Sequence, residues 1–165
     1  MLNIDTVKNL PVENRYKYML ILLEGQLSSE KNIYANISNA SAIIYAIIDK
    51  LNWSGFYFMR EGELVLGPFQ GKPACNRIAV GKGVCGTAVA EKAVQRIANV
   101  HEFPGHIACD GASNSEIVLP IIKDGVVYGV LDIDSYEFNN FSELEEEYLI
   151  KFVEKLNKYI DWTQL

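Results

Sequence analysis

The hydrophobic period of this chain changes once, near Trp53, and that change limits its fold more than any other feature. Before it, Tyr16, Leu20, Leu23 and Leu27 recur every three or four residues, and Ile33, Ile37, Ala40, Ile44, Ile47 and Leu51 keep the same rhythm. Each spacing lines up apolar side chains on one helix face, so two helices are predicted, the first weakened at Gly25 and ending near Ser28–Ser29. After it, the aromatic run Trp53–Met59 reads as a strand that turns at Glu61-Gly62 into Leu64–Leu66, with Gly67-Pro68 ending the hairpin. Residues 70–76 read as a loop, Arg77–Val80 as a short strand, the segment after Gly83 as a brief helix and Gln95–Val100 as extended chain. Residues 101–115 hold too many turn formers for a regular element, and a long irregular loop in a compact domain is often functional. Asp124-Gly125 joins Ser115–Ile122 to Val126–Ile133 as a tight antiparallel hairpin, with Pro120 marking an edge or a bulge. Ser142-Glu-Leu-Glu145 is a capping box that starts the last helix at Glu143. Helices at both ends of an antiparallel meander predict an α+β fold, and 165 residues suit one domain spanning 1–165.

Composition narrows the function classes. A net charge of −6 disfavours a protein that tracks nucleic-acid phosphates. The longest nearly apolar stretch, Ala40–Ile48, is far short of the ~20 residues a membrane helix needs. The first residues carry no apolar signal-peptide core, so a soluble, cytoplasmic chain without a membrane partner is expected. Three cysteines, an odd number, then argue for reduced thiols in a cytosol and against a disulfide framework. Taken singly, each cysteine is more readily explained as a small buried hydrophobe.

Two local motifs fail on context. Gly81-Lys-Gly-Val-Cys-Gly86 matches the dinucleotide fingerprint, but that fingerprint needs a parallel βαβ unit and this sheet reads antiparallel. Its glycines are expected to permit a tight turn into a helix, and no cofactor is predicted. His101-Glu102 and His106 are one residue too far apart for a zincin helix, which Pro104-Gly105 would break in any case. Without a C-x-x-C pair, zinc is only a runner-up and no metal is expected.

Asp132-Ile-Asp134 has more content. Residues two apart on a strand share a face, and carboxylates held close cannot both ionise cheaply, so one tends to keep a proton and can act as an acid. Glu116 starts the other strand of the same hairpin, at about the same distance from its turn, and would join them. The competing reading is that Asp132 and Asp134 are solvated turn residues, since Asp134-Ser135 resembles a turn. Cys109 lies seven positions before Glu116, in the irregular loop. A thiol beside carboxylates suits a cationic substrate, or an acid that protonates the substrate while sulfur attacks.

Five separated blocks carry a resemblance: Gly67-Pro-Phe-Gln-Gly-Lys-Pro-Ala-Cys75, Gly83-Val-Cys-Gly86, Phe103-Pro-Gly-His-Ile-Ala-Cys-Asp110, Ser113-Asn-Ser-Glu-Ile-Val-Leu-Pro120 and Gly129-Val-Leu-Asp-Ile-Asp-Ser135. In this order they closely resemble the free methionine-R-sulfoxide reductases, small enzymes of the GAF fold. The resemblance implies reduction of free methionine-R-sulfoxide to methionine, with electrons from thioredoxin or a similar dithiol, and often a homodimer. It implies that Cys109 is the nucleophile, oxidised to a sulfenic acid, and that a second cysteine condenses with it to a disulfide. Cys75 is favoured as that partner because its loop can move, with Cys85 as alternate or relay at a helix start that would favour its thiolate. By the same resemblance Glu116, Asp132 and Asp134 form an acidic pocket, and Trp53 and Tyr57 line it. The alternatives are a GAF module that senses a small ligand without turnover, and a thiol redox sensor or zinc protein. The latter would leave the three carboxylates without a role.

Overall fold

The computed structural model describes residues 3–165; Met1 and Leu2, which head the segment read as lacking a signal-peptide core, lie outside them. A one-turn helix, α1 (Ile4–Val7), precedes the two amphipathic helices, α2 (Val12–Ser29) and α3 (Ile33–Ile47). α2 buries Tyr16, Met19, Leu23 and Leu27, while Leu20 lies half-buried at the edge of that stripe. Asn32 caps α3 by accepting a hydrogen bond from the Ala35 amide, and Ile33, Ile37, Ala40, Ile44 and Ile47 face the core. The apolar rhythm runs on to Leu51, but the helix does not. Ile48 is already extended and Lys50 is left-handed (φ 64°), so Leu51 opens the first strand.

The strands are β1 (Leu51–Arg60), β2 (Glu63–Gly71), β3 (Arg77–Ala79), β4 (Gln95–Ile97), β5 (Ser115–Lys123) and β6 (Val126–Ser135). They form one antiparallel sheet in the order β3-β2-β1-β6-β5-β4. Two expectations change here. Gly67-Pro68 does not end the hairpin: the β1–β2 register shifts between Gly55 and Tyr57, so the dipeptide is absorbed as a bulge and β2 continues to Gly71. The extended segment after Gln95 stops at Ile97, and a single 3₁₀ turn, Val100–Glu102, begins the long loop. Pro120 sits past the three β5 residues that pair with β4, on an open edge, and a bulge follows at Ile121 and Ile122. Asp124 and Gly125 take positive φ (52° and 78°), as a two-residue turn of primed type requires.

Alternation along the strands separates two apolar layers. Phe56, Phe58, Ile117, Leu119, Ile121, Leu131 and Ile133 face the helices. There α2, α3 and the final helix α5 (Glu143–Tyr159, with the expected capping box at Ser142) complete the larger core. The opposite face carries Trp53, Tyr57, Val118 and Val130, covered by a short helix, α4 (Gly83–Glu91), through Val84, Cys85, Ala88 and Val89. The expected α+β architecture is the one observed. Among the described residues no helix is long and apolar enough to cross a membrane.

Candidate active site

The second face supplies the site because of its strand parity. Trp53 and Tyr57 on β1, Asp132 and Asp134 on β6, and Glu116 on β5 all project to the α4 side. The register brings them together: Trp53 and Glu116 both pair with Asp134, on opposite sides of β6, and Gly55 pairs with Asp132. All five residues line one cavity, together with Cys85, Cys109, His106, Ile107 and Lys82. The candidate residues singled out in the sequence therefore converge, with Cys75 as the one that stands at the margin.

Cys75 and Cys109 are joined by a disulfide, with Cα atoms 5.5 Å apart, so the two loops that carry them meet over the cavity. Each loop is tied to β1. Trp53 Nε1 donates to the Lys72 carbonyl at 3.2 Å, and Tyr57 Oη donates to the Cys75 carbonyl at 2.9 Å. The two aromatic rings thus fasten the Cys75 loop as well as lining the cavity. Asn52 Nδ2 donates to Asp110 Oδ2 and Ser113 Oγ, both at 3.0 Å, and so pins the loop just after Cys109. No local sequence pattern marks this clamp, because the partners of Asn52 lie 58 and 61 residues away.

α4 enters through the glycine motif. Gly81 and Gly83 have positive φ (82° and 61°), and a side chain at Gly86 would strike the Ala79 carbonyl. The glycines make a tight turn into α4, as expected. That turn lowers Cys85 onto the carboxylates.

Here one expectation is overturned. Position near a helix N-terminus was expected to favour the Cys85 thiolate, but burial pushes the thiol well above its ordinary range, and Asp132, Glu116 and Asp134 push it further. Cys85 is a buried, protonated thiol outside the disulfide. Glu116 is likewise held well above the usual carboxylate range by burial, then by Asp132 and Asp134. Asp134 is raised well above its range by burial, then by Asp132 and Asp110, while Asp132 is raised by burial against hydrogen bonds from Glu116 and Cys85 that favour its charge. Burial and mutual repulsion therefore make each carboxyl of the cluster hold its proton more tightly than a solvent-exposed one.

His106 Nε2 lies 3.9 Å from Glu116 Oε2, but burial lowers the histidine and the contact is not an ion pair at neutral pH. On the other side of Cys109, Asp110 is held below its usual range by the Ala112 amide and by Asn52, and stays ionised. Among the cavity atoms, Asp132 Oδ1 is buried without any hydrogen-bond partner. The arrangement offers three things at once: a redox-active pair of sulfurs, carboxylic acids that can give a proton, and a free buried acceptor beside aromatic walls.

Known proteins are similar to this chain over most of its length. A family model for the GAF domain matches residues 38–156. The free methionine-R-sulfoxide reductase of Escherichia coli (strain K12) is 52% identical over 137 residues, covering 83% of this chain and 83% of that protein. The Saccharomyces cerevisiae enzyme of the same name is 42% identical over 164 residues, covering 94% and 91%. The structure of free methionine-R-sulfoxide reductase from Neisseria meningitidis in complex with its substrate superimposes with a TM-score of 0.88 at 37% identity, covering 94% and 93%. This chain belongs to the free methionine-R-sulfoxide reductases, a family of GAF-domain proteins.

Proposed function

We propose that the protein reduces the R epimer of free methionine sulfoxide to methionine through Cys109. The observation that carries the reading is the Cys75–Cys109 disulfide lying over a floor of buried, clustered carboxyls that hold their protons more tightly than exposed ones. In the reduced state the Cys109 thiolate attacks the sulfoxide sulfur. A carboxylic acid of the Glu116–Asp132–Asp134 cluster protonates the departing oxygen, because a bare sulfoxide oxygen leaves poorly. The hydroxyl then passes from the methionine sulfur to the Cys109 sulfur as the transient S–S bond between them breaks, which releases methionine and leaves a sulfenic acid on Cys109. The Cys75 thiol then condenses with it, losing water and forming the disulfide, and an external dithiol returns both sulfurs to thiols. Across the cycle one sulfoxide and one dithiol become methionine, a disulfide and water.

Discrimination for a free amino acid follows from charge. The ammonium group of free methionine sulfoxide can donate to the unpartnered Asp132 Oδ1 and to whichever carboxylate is ionised, and a peptide-bound residue has no such group. Trp53 and Tyr57 supply an apolar wall for the S-methyl group. Cys85, buried and protonated, takes no part in the disulfide. Thioredoxin or a similar dithiol as donor, a homodimer and a cytoplasmic setting enter the proposal from the family resemblance alone.

The test is NADPH oxidation through thioredoxin reductase and thioredoxin, with separated R and S epimers of free methionine sulfoxide and an N-acetylated control. Turnover of the free R epimer alone is the expected result. Cys109→Ser should lower it by a factor of about 10³ or more, since the nucleophile is lost. Silence with thioredoxin and with dithiothreitol would sink the reading in favour of a ligand-sensing GAF module.

A further inference from the structure

Three ligand-type atoms meet beneath the cavity in a way that disulfide chemistry does not require. One atom each from Cys85, Glu116 and Asp132 lies within 4.8 Å of the other two, and all three residues are buried. Asp132 is 6% exposed, and its Oδ1 has no hydrogen-bond partner. No lysine or arginine pairs with any of the three among the salt bridges of the described residues. We propose that Cys85, Glu116 and Asp132 form a binding site for a thiophilic divalent cation of the zinc and cadmium type, open to the cavity at its fourth position.

The chemistry of the donor set selects the ion. A thiolate with two carboxylates suits zinc or cadmium, whereas magnesium and calcium prefer oxygen alone. In a tetrahedral zinc site, ligand atoms stand about 3.4–3.6 Å apart, given Zn–S near 2.3 Å and Zn–O near 2.1 Å. The three donors already lie within 4.8 Å of one another, so a bound ion has to draw them about 1 Å closer to reach that spacing. The cation takes the place of the protons that now keep three acids together. It also engages the orphaned Asp132 oxygen. Because Glu116 and Asp132 are the carboxylates assigned above to the substrate, a bound metal blocks the cavity; this consequence, unlike the site itself, rests on the proposed function.

The disulfide makes the test selective. In the oxidised protein Cys85 is the remaining thiol, so cadmium can be titrated into that form while the thiolate-to-cadmium charge-transfer band is followed in the ultraviolet. Zinc stoichiometry would be measured in parallel by equilibrium dialysis. One metal per chain is expected, with the band absent in Cys85→Ser and the dissociation constant raised about tenfold or more in both Cys85→Ser and Asp132→Asn. Circular dichroism checks that each variant is folded, and Asp132→Asn keeps the test open if Cys85→Ser is not. Absence of binding to the oxidised protein, or binding that survives both substitutions, would overturn the proposal. Free methionine should compete with zinc if the proposed function is right, while metal binding without such competition would leave the site standing and count against the substrate assignment.

Discussion

At the scale of single residues, Glu116 is held well above the usual glutamate range because burial and two neighbouring aspartates all penalise its charge. An unfolded chain releases the Glu116 proton near the usual glutamate value, so above that pH the native state binds more protons than the unfolded one. Stability contributed by this group is then complete at low pH and falls as pH rises toward the elevated native value. Glu116→Gln removes the liability along with the acid. Its melting temperature should exceed that of the parent by at least about 3 °C at pH 8, where each kcal/mol is worth roughly 2–4 °C for a domain of this size, and the gap should shrink at pH 5. A gap that is equal at both pH values would contradict the raised value. The grouping of Glu116 with Asp132 and Asp134 was legible because strand parity and turn position can both be counted along the sequence. The state of Cys85 was not, since helix position and burial act in opposite directions and only the packed structure says which is larger. Asn52 was illegible for a different reason: its hydrogen bonds to Asp110 and Ser113 are set by tertiary placement.

Among the elements, α4 is the one on which the site depends for its depth. Its first turn is held by hydrogen bonds from the Gly81 amide to the Gly86 carbonyl and from the Gly86 amide to the Lys82 carbonyl. A methyl group at position 86 has nowhere to go but into the Ala79 carbonyl. Gly86→Ala should therefore lower stability by about 2–4 kcal/mol in urea unfolding, in the range of overpacked sites and backbone clashes. Activity should fall as well, because lifting α4 draws Val84 and Cys85 away from the sheet. Element types were read correctly wherever the period was long, as in α2 and α3, and wherever a turn had demanding chemistry, as at Asp124-Gly125. Boundaries were lost where a bulge or an edge position tolerated residues that usually stop a strand. Pro68 is the clearest case, since the β1–β2 ladder shifts register where it stands.

For the whole molecule, the sheet divides structure from chemistry. One face is sealed by α2, α3 and α5, and the other keeps α4 and two loops over the cavity. The antiparallel α+β plan followed from the sequence, but the pairing of β1 with β6 did not, because nothing local connects Trp53 with Asp134. The Cys75–Cys109 bridge spans 34 residues and fastens one such loop to the other. In the chain-entropy account a closed loop of that length stabilises by about 3–4 kcal/mol, so dithiothreitol should shift the urea midpoint downward by that equivalent. Far-UV circular dichroism should stay unchanged before the transition, since the sheet and the helical layer do not depend on the bridge. An unchanged midpoint would contradict the chain-entropy account for this bridge. The burial of Cys85 reaches further than its own pocket. Three thiols admit three pairings, yet the sulfur outside the bridge is buried on α4 and holds its proton tightly, which disfavours its exchange with the other two. The molecule should then pass between two covalent states without a scrambled third, and equilibration against a dithiol buffer should trace a single Nernst curve with a two-electron slope.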